Sequence, residues 1–373
     1  MKISIILPCR NEEKALPLCL ADLKKVIREN NLDAEIIVSD SSVDNSPKIA
    51  KKFNVRLIKH DKDGYGNAYL EGLKIAKGKY IVMLDADYTY DPLELPKLIN
   101  KLEEGYDFVI GNRFSKEMEK GAMPAAHKYL GNPLLSATLR LFFGAKVKDC
   151  HSGFRAIRRE KLEQLNLKTT GMEFASEMII QSIKHKLKIF EIPIKYRKRI
   201  GKSKLKTFSD GWRHLRFMLI YSPLYLFFIP GGILFFLGIL LLTLIYTNNL
   251  SILGVDLIIH PMFLFSAMTI VGYQSIFFGL FAKTYAYTRL GEKNKFLENF
   301  FELFSLEKAL LIGSILFFGG ILTYGIIFIN WTSSGFGALN EIKNSVVALT
   351  FIVLGFQTIF SAFMMSLLSI KEK

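Results

Sequence analysis

The apolar residues of this chain are distributed so unevenly that its two halves cannot share one solvent. Up to about residue 218 charged and apolar residues are mixed as in a water-soluble protein, whereas beyond it long apolar runs are separated by short polar loops. Four of these runs approach the ~20 residues that a helix needs to cross a bilayer. They lie at about residues 220–246, 262–282, 308–330 and 345–369. The sequence therefore predicts a water-facing domain over residues 1–217 and a transmembrane domain over residues 218–373.

The loops between the apolar runs predict the orientation of the chain. Residues 247–260 contain no Lys or Arg, whereas residues 283–308 contain five. Because Lys and Arg are retained on the cytoplasmic side, this second loop, the domain 1–217 and both termini are expected in the cytoplasm. Met1-Lys2 leads directly into a strand pattern without a secretory signal, which favours the same placement. We expect an integral membrane protein with about four spans.

The central cytoplasmic loop, at about residues 283–307, has an amphipathic pattern. Phe296, Phe300 and Phe304 recur at helical spacing, and Glu298 and Glu302 supply the polar side. Such a helix either lies on the membrane surface or packs against the domain 1–217. The sequence leaves both arrangements open.

Short apolar, β-branched runs alternate with helical patterns in the domain 1–217. The runs cover residues 3–7, 35–39, 55–58, 80–84 and 108–110. This alternation is typical of βαβ units, so we predict an α/β fold with a Rossmann-like, mostly parallel sheet. Ligands of such sheets bind beyond the carboxyl ends of the strands. The residues that directly follow each run are therefore the candidates for a site.

Two aspartates follow the run at residues 80–84, in the triplet Asp85-Ala86-Asp87. Mg²⁺ or Mn²⁺ is typically held by one or two carboxylates together with ligand phosphates, so this triplet suits a metal that joins a nucleoside diphosphate to the protein. The alternative is that one of the aspartates caps the following helix, which is a common use of Asp after a strand.

The two preceding strand ends are also polar. Pro8, Arg10, Asn11 and Glu12 follow the first run, and Asp40 ends the second. Asp40 could bond a base or ribose, and Arg10 and Asn11 a base edge or a phosphate. The alternative for Asn11, as for the residues after Asp40, is capping of a helix or turn.

The formal net charge of +15 is concentrated before the first apolar run. A dense basic cluster covers residues 195–206 and abuts the membrane domain, without the interleaved aromatics of a nucleic-acid groove. We therefore expect no nucleic-acid partner. Anionic lipid headgroups and the phosphate groups of a ligand both suit this cluster. The three cysteines have no zinc-type spacing, so neither disulfides nor structural zinc are expected.

Four segments, taken in order, carry a resemblance to family-2 glycosyltransferases of GT-A fold. They are Ile6-Leu7-Pro8-Cys9-Arg10-Asn11-Glu12, Ser39-Asp40-Ser41-Ser42-Val43-Asp44, Gly64-Tyr65-Gly66-Asn67-Ala68 and Leu84-Asp85-Ala86-Asp87. Three later segments narrow it to polyprenyl-phosphate hexose synthases of the dolichyl-phosphate type. They are Gly111-Asn112-Arg113, Asp149-Cys150-His151-Ser152-Gly153-Phe154-Arg155 and Gly201-Lys202-Ser203-Lys204. The resemblance covers about residues 3–217.

The resemblance implies a donor site and a reaction. One hexose would pass, with inversion, from a nucleotide-diphosphate sugar to a polyprenyl or dolichyl phosphate at the cytoplasmic membrane face, giving a lipid-linked sugar donor for glycosylation. The residues implied to bind the nucleotide-sugar are Pro8, Arg10, Asn11, Glu12, Asp40, Asp85, Ala86 and Lys204. Asp85 and Asp87 would hold the Mg²⁺ or Mn²⁺. Many members have a glutamine two places after the second aspartate, where this chain has Thr89, so a third protein ligand is in question.

The resemblance also implies an acceptor site. Lipid-phosphate-binding residues would be Arg113, Lys128, Lys198 and Arg199, and catalytic residues Asp87, Arg113 and Asp149. A lipid monophosphate has a second pKa near ~6, so its oxygen is a nucleophile at neutral pH and needs little deprotonation. Asp149 is therefore either a base or sugar ligand, or a structural residue of its turn.

Other functions and donors remain alternatives. A processive polysaccharide synthase usually carries a Gln-x-x-Arg-Trp motif, which this sequence lacks, and a flippase would need ionisable residues within spans that hold almost none. A non-catalytic nucleotide-sugar-binding scaffold is the remaining rival. Residues 64–68 and 171–174 look closer to glucose- or N-acetylglucosamine-type members, which favours UDP-glucose or UDP-N-acetylglucosamine over GDP-mannose. The sequence does not indicate an oligomeric state.

Overall fold

A computed structural model describes residues 2–114, 118–201, 207–248, 251–252, 255–256, 259–289 and 305–370. The chain forms two compact units, Met1–Tyr221 and Ser222–Lys373. The expected boundary at 217/218 lies before the last residues of a helix that the structure assigns to the first unit. Lys204 and most of the expected amphipathic loop at 283–307 lie outside the described residues.

The first unit is built around a seven-stranded sheet. Its strands are β1 (Ile3–Cys9), β2 (Ala34–Asp40), β3 (Arg56–Lys59), β4 (Tyr80–Met83), β5 (Phe108–Asn112), β6 (Arg155–Arg158) and β7 (Ile189–Pro193). They lie in the order β3-β2-β1-β4-β6-β5-β7, and only β6 runs antiparallel to its neighbours. The predicted α/β fold with a mostly parallel sheet is confirmed.

Helices connect the strands and cover both faces of this sheet. They are α1 (Leu16–Glu29), α2 (Ser46–Lys52), α3 (Tyr65–Ile75), α4 (Leu95–Glu103), α5 (Asn132–Phe143), α6 (Arg159–Gln164), α7 (Phe174–Lys184) and α8 (Thr207–Ile220). Because successive side chains of a strand point to opposite faces, β1 contributes Ile5 and Leu7 to one buried cluster and Ile6 to the other. Two apolar cores therefore fix the sheet from both sides.

The register of the central strands brings three carboxyl ends together. β1 pairs with β2 so that Cys9 lies opposite Asp40, and with β4 so that Ile6 lies opposite Met83. The loops after these strands start at one edge of the sheet, as the parallel arrangement predicts. This edge positions the candidate site.

In the second unit, the described residues include four helices long and apolar enough to cross a membrane. The helices are α9 (Ile229–Asn248), α10 (His260–Arg289), α11 (Leu306–Ser333) and α12 (Ile342–Ser369). Two short strands, β8 (Ser251–Ile252) and β9 (Val255–Asp256), pair between α9 and α10. The expected helical C-terminal region, with four apolar candidate spans, is thereby confirmed.

Small and hydroxyl-bearing residues hold the membrane helices together. A Cβ added at Gly355 of α12 would lie 2.6 Å from the carbonyl oxygen of Gly313 in α11, so these two backbones are in close contact. Ser266 of α10 bonds Thr350 of α12 at 2.7 Å, and Tyr273 bonds Thr358 at 2.8 Å. Close backbone approach and interhelical hydrogen bonds are what drive helix association where lipid removes the hydrophobic effect.

Candidate active site

A cavity of about 240 Å³ opens at the carboxyl ends of β1 and β4. Its lining includes seven residues predicted for the site from the sequence, namely Pro8, Arg10, Glu12, Asp85, Ala86, Asp87 and Arg199. Gly64, Tyr65 and Ala68 at the start of α3, and Met172 before α7, form further parts of the wall. Segments far apart in the sequence thus converge on one site.

Asp85 is one of the carboxylates in the wall of this cavity. Burial, and then the negative charge of Asp87, raise the pKa of Asp85 to about 7, although Arg199 acts in the opposite direction. A Cβ added at Gly153 would lie 2.3 Å from Asp85 Oδ2, so the carboxylate rests directly against the backbone of that glycine. Only glycine leaves room for Asp85 in this position.

Asp87 is held by donors on both of its oxygens. Oδ1 accepts hydrogen bonds from the backbone N–H and the hydroxyl of Thr89, at 3.1 and 2.6 Å. Oδ2 accepts from Arg199 Nη1 at 2.6 Å. In the family that the sequence resembles, a glutamine is common at the position of Thr89. Here Thr89 orients Asp87 through its two hydrogen bonds.

Asp40 is a fully buried carboxylate at the end of β2. Neither of its side-chain oxygens has a hydrogen-bond partner in the part of the chain that the structure describes. A buried charge without such partners is costly, which makes Asp40 a candidate to receive a donor from a ligand.

The loop after β1 is fixed by its neighbour after β2. Asn11 adopts a φ of 53°, its backbone N–H donates to Ser42 Oγ at 2.7 Å, and its Oδ1 accepts from the backbone N–H of Val43 at 2.9 Å. Asn11 thus ties the two loops together. Arg10 forms an ion pair with Asp63 at 2.9 Å, in which the two side chains are 50% and 74% exposed.

Arg113 and Asp149 form a buried pair at the end of β5. Nε and Nη2 of Arg113 each donate to one carboxylate oxygen of Asp149 at 2.7 Å, and the Arg113 backbone N–H adds a third bond at 3.0 Å. Burial lowers the pKa of Arg113, but the Asp149 carboxylate outweighs this effect and raises it well above its usual value. Both oxygens of Asp149 are engaged, so this geometry favours a residue that positions Arg113 over a general base.

The start of β6 and the segment before it form contacts that the sequence did not predict. Arg155 donates to the backbone carbonyls of Ser152, Ala175 and Cys150 at 2.6, 3.0 and 2.7 Å. Gly153 donates its N–H to the Tyr90 hydroxyl at 2.6 Å. These bonds hold Gly153 against Asp85. The only sequence signal was an arginine beside a Ser-Gly turn, and its partners are set by tertiary structure.

Apart from Arg199, the residues predicted to bind the lipid phosphate, Arg113, Lys128 and Lys198, are not part of the cavity wall. Lys128 lies in a π-helical turn, His127–Gly131, with its Nζ 5.3 Å from the ring centre of Tyr129. Lys198 donates its backbone N–H to Glu119 at 2.8 Å. The structure therefore brings Arg199, but neither of these lysines, to Asp87.

The residues at the cavity fit a divalent cation that shares its coordination with a ligand. Asp85 and Asp87 provide hard oxygen donors, and the guanidinium of Arg199 already neutralises Asp87 from within the cavity. Among the described residues no group of three or more His, Cys, Asp or Glu could hold a metal by itself. A metal here would take further oxygen ligands from phosphates and water.

Two family models match this chain. The family model for glycosyl transferase family 2 matches residues 4–165, and the model for the glycosyltransferase family 2 C-terminal transmembrane region matches residues 280–369. The second match and the four apolar helices identify an integral membrane protein.

Three curated relatives extend the comparison. A low-salt glycan biosynthesis hexosyltransferase of Haloferax volcanii is 39% identical over 97% of this chain and 88% of its own. A dolichyl-phosphate hexose transferase of the same organism is 33% identical over 56% of this chain and 89% of its own. The dolichol-phosphate mannosyltransferase of Pyrococcus furiosus is 30% identical over 58% of this chain and 63% of its own. With a relative this similar along nearly its whole length, the chain belongs to glycosyltransferase family 2 and is a glycosyltransferase.

Proposed function

We propose that this enzyme transfers one hexose from a nucleotide-diphosphate sugar to a polyprenyl or dolichyl phosphate, with inversion and with a divalent metal. The observation that carries the proposal is the cavity in which Asp85, Asp87 and Arg199 converge beside the loop after β1. The names of two relatives, a dolichyl-phosphate hexose transferase and a dolichol-phosphate mannosyltransferase, support the acceptor.

The donor is proposed to lie along the carboxyl ends of β1, β2 and β4. Asp40, whose buried oxygens have no hydrogen-bond partner among the described residues, would receive donors from the nucleoside. Asp85 and Asp87 would hold the metal that binds the diphosphate, and this metal would stabilise the negative charge of the leaving group. We favour UDP-glucose or UDP-N-acetylglucosamine over GDP-mannose, from the family resemblance of residues 64–68 and 171–174.

A lipid acceptor is supported by exposed apolar side chains on the first unit. Tyr129 and Leu130 in the π-helical turn and Leu134 on α5 are 73%, 66% and 59% exposed. On α8, which packs against α5, Phe208 and Trp212 are 93% and 58% exposed. Side chains of this kind on a membrane-bound enzyme fit a lipid surface. With the cytoplasmic orientation predicted by the loops, transfer would occur at the cytoplasmic face.

The reaction follows from charge and placement. An oxygen of the lipid phosphate would attack the anomeric carbon as the bond from that carbon to the nucleoside diphosphate breaks, so the electron pair leaves with the diphosphate. The nucleophile is already ionised, so the protein must supply cations and in-line placement. Arg113 would stabilise the lipid phosphate, and Asp149 would hold the guanidinium through its two side-chain bonds.

Purified full-length protein with Mn²⁺ or Mg²⁺, a short-chain polyprenyl phosphate and labelled UDP- and GDP-sugars tests this proposal. We expect a lipid that carries a single sugar. A water-soluble polymer would contradict the proposal, and donor binding without turnover under all conditions would identify a scaffold.

Asp87→Ala tests the metal site in the same assay. Loss of both the metal contact and the Arg199 contact is expected to lower turnover by at least ~100-fold, without unfolding the protein. Asp61→Ala, which removes an exposed carboxylate, is the matched control and should retain activity. Retained activity in Asp87→Ala would remove Asp87 from the metal site.

A further inference from the structure

Arg199 connects two carboxylates that come from different loops of the cavity. Its Nη1 donates to Asp87 Oδ2 at 2.6 Å, and its Nη2 donates to Glu12 Oε1. Glu12 and Asp87 are each only 8% exposed. Two buried carboxylates this close together need a nearby positive charge, which the guanidinium of Arg199 provides.

The contacts of Asp87 leave little room for a second cation while Arg199 is bound. Oδ1 is occupied by the N–H and hydroxyl of Thr89, and Oδ2 by Arg199. Among the described residues Oδ2 accepts this one hydrogen bond only, and a metal ion that bound its second lone pair would lie beside Nη1, so repulsion between the two cations favours displacement of the guanidinium. A metal ion without an accompanying anion would also bring a second positive charge next to the guanidinium, which is unfavourable in a buried site.

The backbone around Arg199 is fixed, so the exchange needs only a movement of its side chain. Arg197 donates its N–H to the carbonyl of Thr89 at 2.7 Å, and Ile200 donates to the carbonyl of Asp87 at 3.4 Å. The Nε of Arg199 is buried and has no acceptor in the described part of the protein. The guanidinium is thus incompletely bonded where it lies, and a phosphate oxygen would complete its hydrogen bonds.

We propose that Arg199 is an internal counter-ion of Asp87, which a divalent cation replaces only together with a nucleoside diphosphate. The diphosphate supplies the negative charge that both the metal and the released guanidinium need. This inference rests on the proposed function and deepens it, because it makes metal binding depend on the donor and frees Arg199 for phosphate only after the donor is bound.

Mn²⁺ binding to the full chain in detergent tests this exchange, with free Mn²⁺ measured by electron paramagnetic resonance. In the wild type, UDP or GDP should lower the apparent Kd of Mn²⁺ by about tenfold or more. Without nucleotide, Arg199→Gln should bind Mn²⁺ about tenfold more tightly than the wild type, because Asp87 has lost its competing cation. Arg199→Lys retains the charge but can reach only one carboxylate, so a gain of about threefold is expected.

Arg197→Gln is the matched control. It removes the same charge two residues away, from a side chain that bonds Asp91 at 2.7 Å and not Asp87. Its Mn²⁺ affinity should equal that of the wild type, and adding Asp87→Asn to Arg199→Gln should abolish the gain. The inference is wrong if neither Arg199 variant changes the nucleotide-free Kd, or if the gain survives Asp87→Asn. Sugar transfer is measured in a separate assay. The Mn²⁺-binding result can therefore be interpreted even if the proposed function is wrong.

Discussion

Two carboxylates near opposite ends of β2 are both buried but differ in their hydrogen-bond partners. Asp40 has no hydrogen-bond partner on either oxygen within the described residues. Glu35 accepts from the Ser4 hydroxyl, from the N–H of Lys77 and from Arg56. Both are buried, so the difference lies in their partners.

This difference gives a prediction for Asp40→Asn. The substitution removes a buried charge that the described chain does not pair, so the melting temperature should stay unchanged or rise. If Asp40 receives donors from the nucleoside, the KM for the sugar donor should increase about tenfold or more, since hydrogen bonds to a charged group are worth ~1.5–3 kcal/mol. Steady-state kinetics and thermal melting of the same preparation provide both readouts.

Glu35→Gln is the matched control, and we expect the opposite pattern. It replaces a buried carboxylate whose oxygens already accept hydrogen bonds within the protein. It should therefore lower the free energy of unfolding by about 1–3 kcal/mol and leave the KM for the sugar donor unchanged. If Asp40→Asn were instead destabilising with an unchanged KM, Asp40 would be a structural residue.

Single residues also show what sequence alone can predict about the site. Asp85 and Asp87 were predictable, because an apolar strand delivers them to the carboxyl edge of a parallel sheet. The contact of Arg199 with Asp87 was not, because it joins residues 112 positions apart and the sequence offered only a basic cluster suited to several phosphates. Which arginine reaches which carboxylate is decided by packing.

At the scale of elements, a buried hydrogen-bonded chain ties α8 to the segment before β6. His151 Nε2 bonds Ser176 Oγ at 3.1 Å, and Ser176 Oγ bonds Nδ1 of His214 on α8 at 2.8 Å. Burial, followed by the charge of Arg155, lowers the pKa of His214 to about 4. Burial, followed by His214, lowers the pKa of His151 well below its usual range. Both rings are therefore neutral in the folded protein at neutral pH.

This pair predicts how the stability of the first unit depends on pH. Below pH ~6.5 an unfolded histidine takes up a proton that the folded one does not, so stability is present above ~6.5 and is lost as the pH falls towards 4. The loss per histidine is at most about 1.4 kcal/mol for each pH unit. His214→Gln should therefore flatten the dependence of the melting temperature on pH between ~6.5 and 4.

His185→Gln, on the exposed C-terminal end of α7, serves as the control. Its pH profile should run parallel to that of the wild type. If His214→Gln also ran parallel, the buried histidine pair would make no contribution to acid sensitivity.

The elements themselves were predictable to the extent that each had a local signal. The apolar runs at residues 3–7 and 35–39 lie inside β1 and β2. β6 and β7 were not predicted, because Arg-Ala-Ile-Arg has no apolar run and Ile-Phe-Glu-Ile-Pro is interrupted by a glutamate. Arg155 is buried in β6 because three backbone carbonyls accept hydrogen bonds from its guanidinium. These contacts depend on the tertiary structure, so the hydrophobic periodicity of the sequence does not predict them.

At the scale of the whole molecule, the two units differ in where they place their large apolar side chains, because one is suited to water and the other to lipid. The first unit buries apolar side chains on both faces of a sheet, whereas the membrane helices leave large residues such as Phe236, Leu322 and Phe318 at 65–70% exposure. In lipid such exposure carries no hydrophobic penalty, and helices satisfy their own backbone groups. Hydropathy alone could therefore predict the four spans, and the polar contacts between them could not be predicted.

The same reasoning makes the orientation testable. Three spans separate the first unit from the loop between α11 and α12, so the two should lie on opposite sides of the membrane. Cys9, Cys19 and Cys150 are buried, so the native chain should react weakly with a membrane-impermeant maleimide. Single cysteines at the exposed positions Lys52 and Ser334 are therefore suitable probes.

We expect Ser334→Cys to be labelled in intact cells and Lys52→Cys only in inverted vesicles, because the basic loop at 283–308 should be cytoplasmic. The reverse pattern would place the sugar-transfer site outside the cell, where nucleotide-sugars would have to be exported to reach it. Labelling of both positions from one side would mean that the number of crossings between them is even, and that α9, α10 and α11 do not all span the membrane.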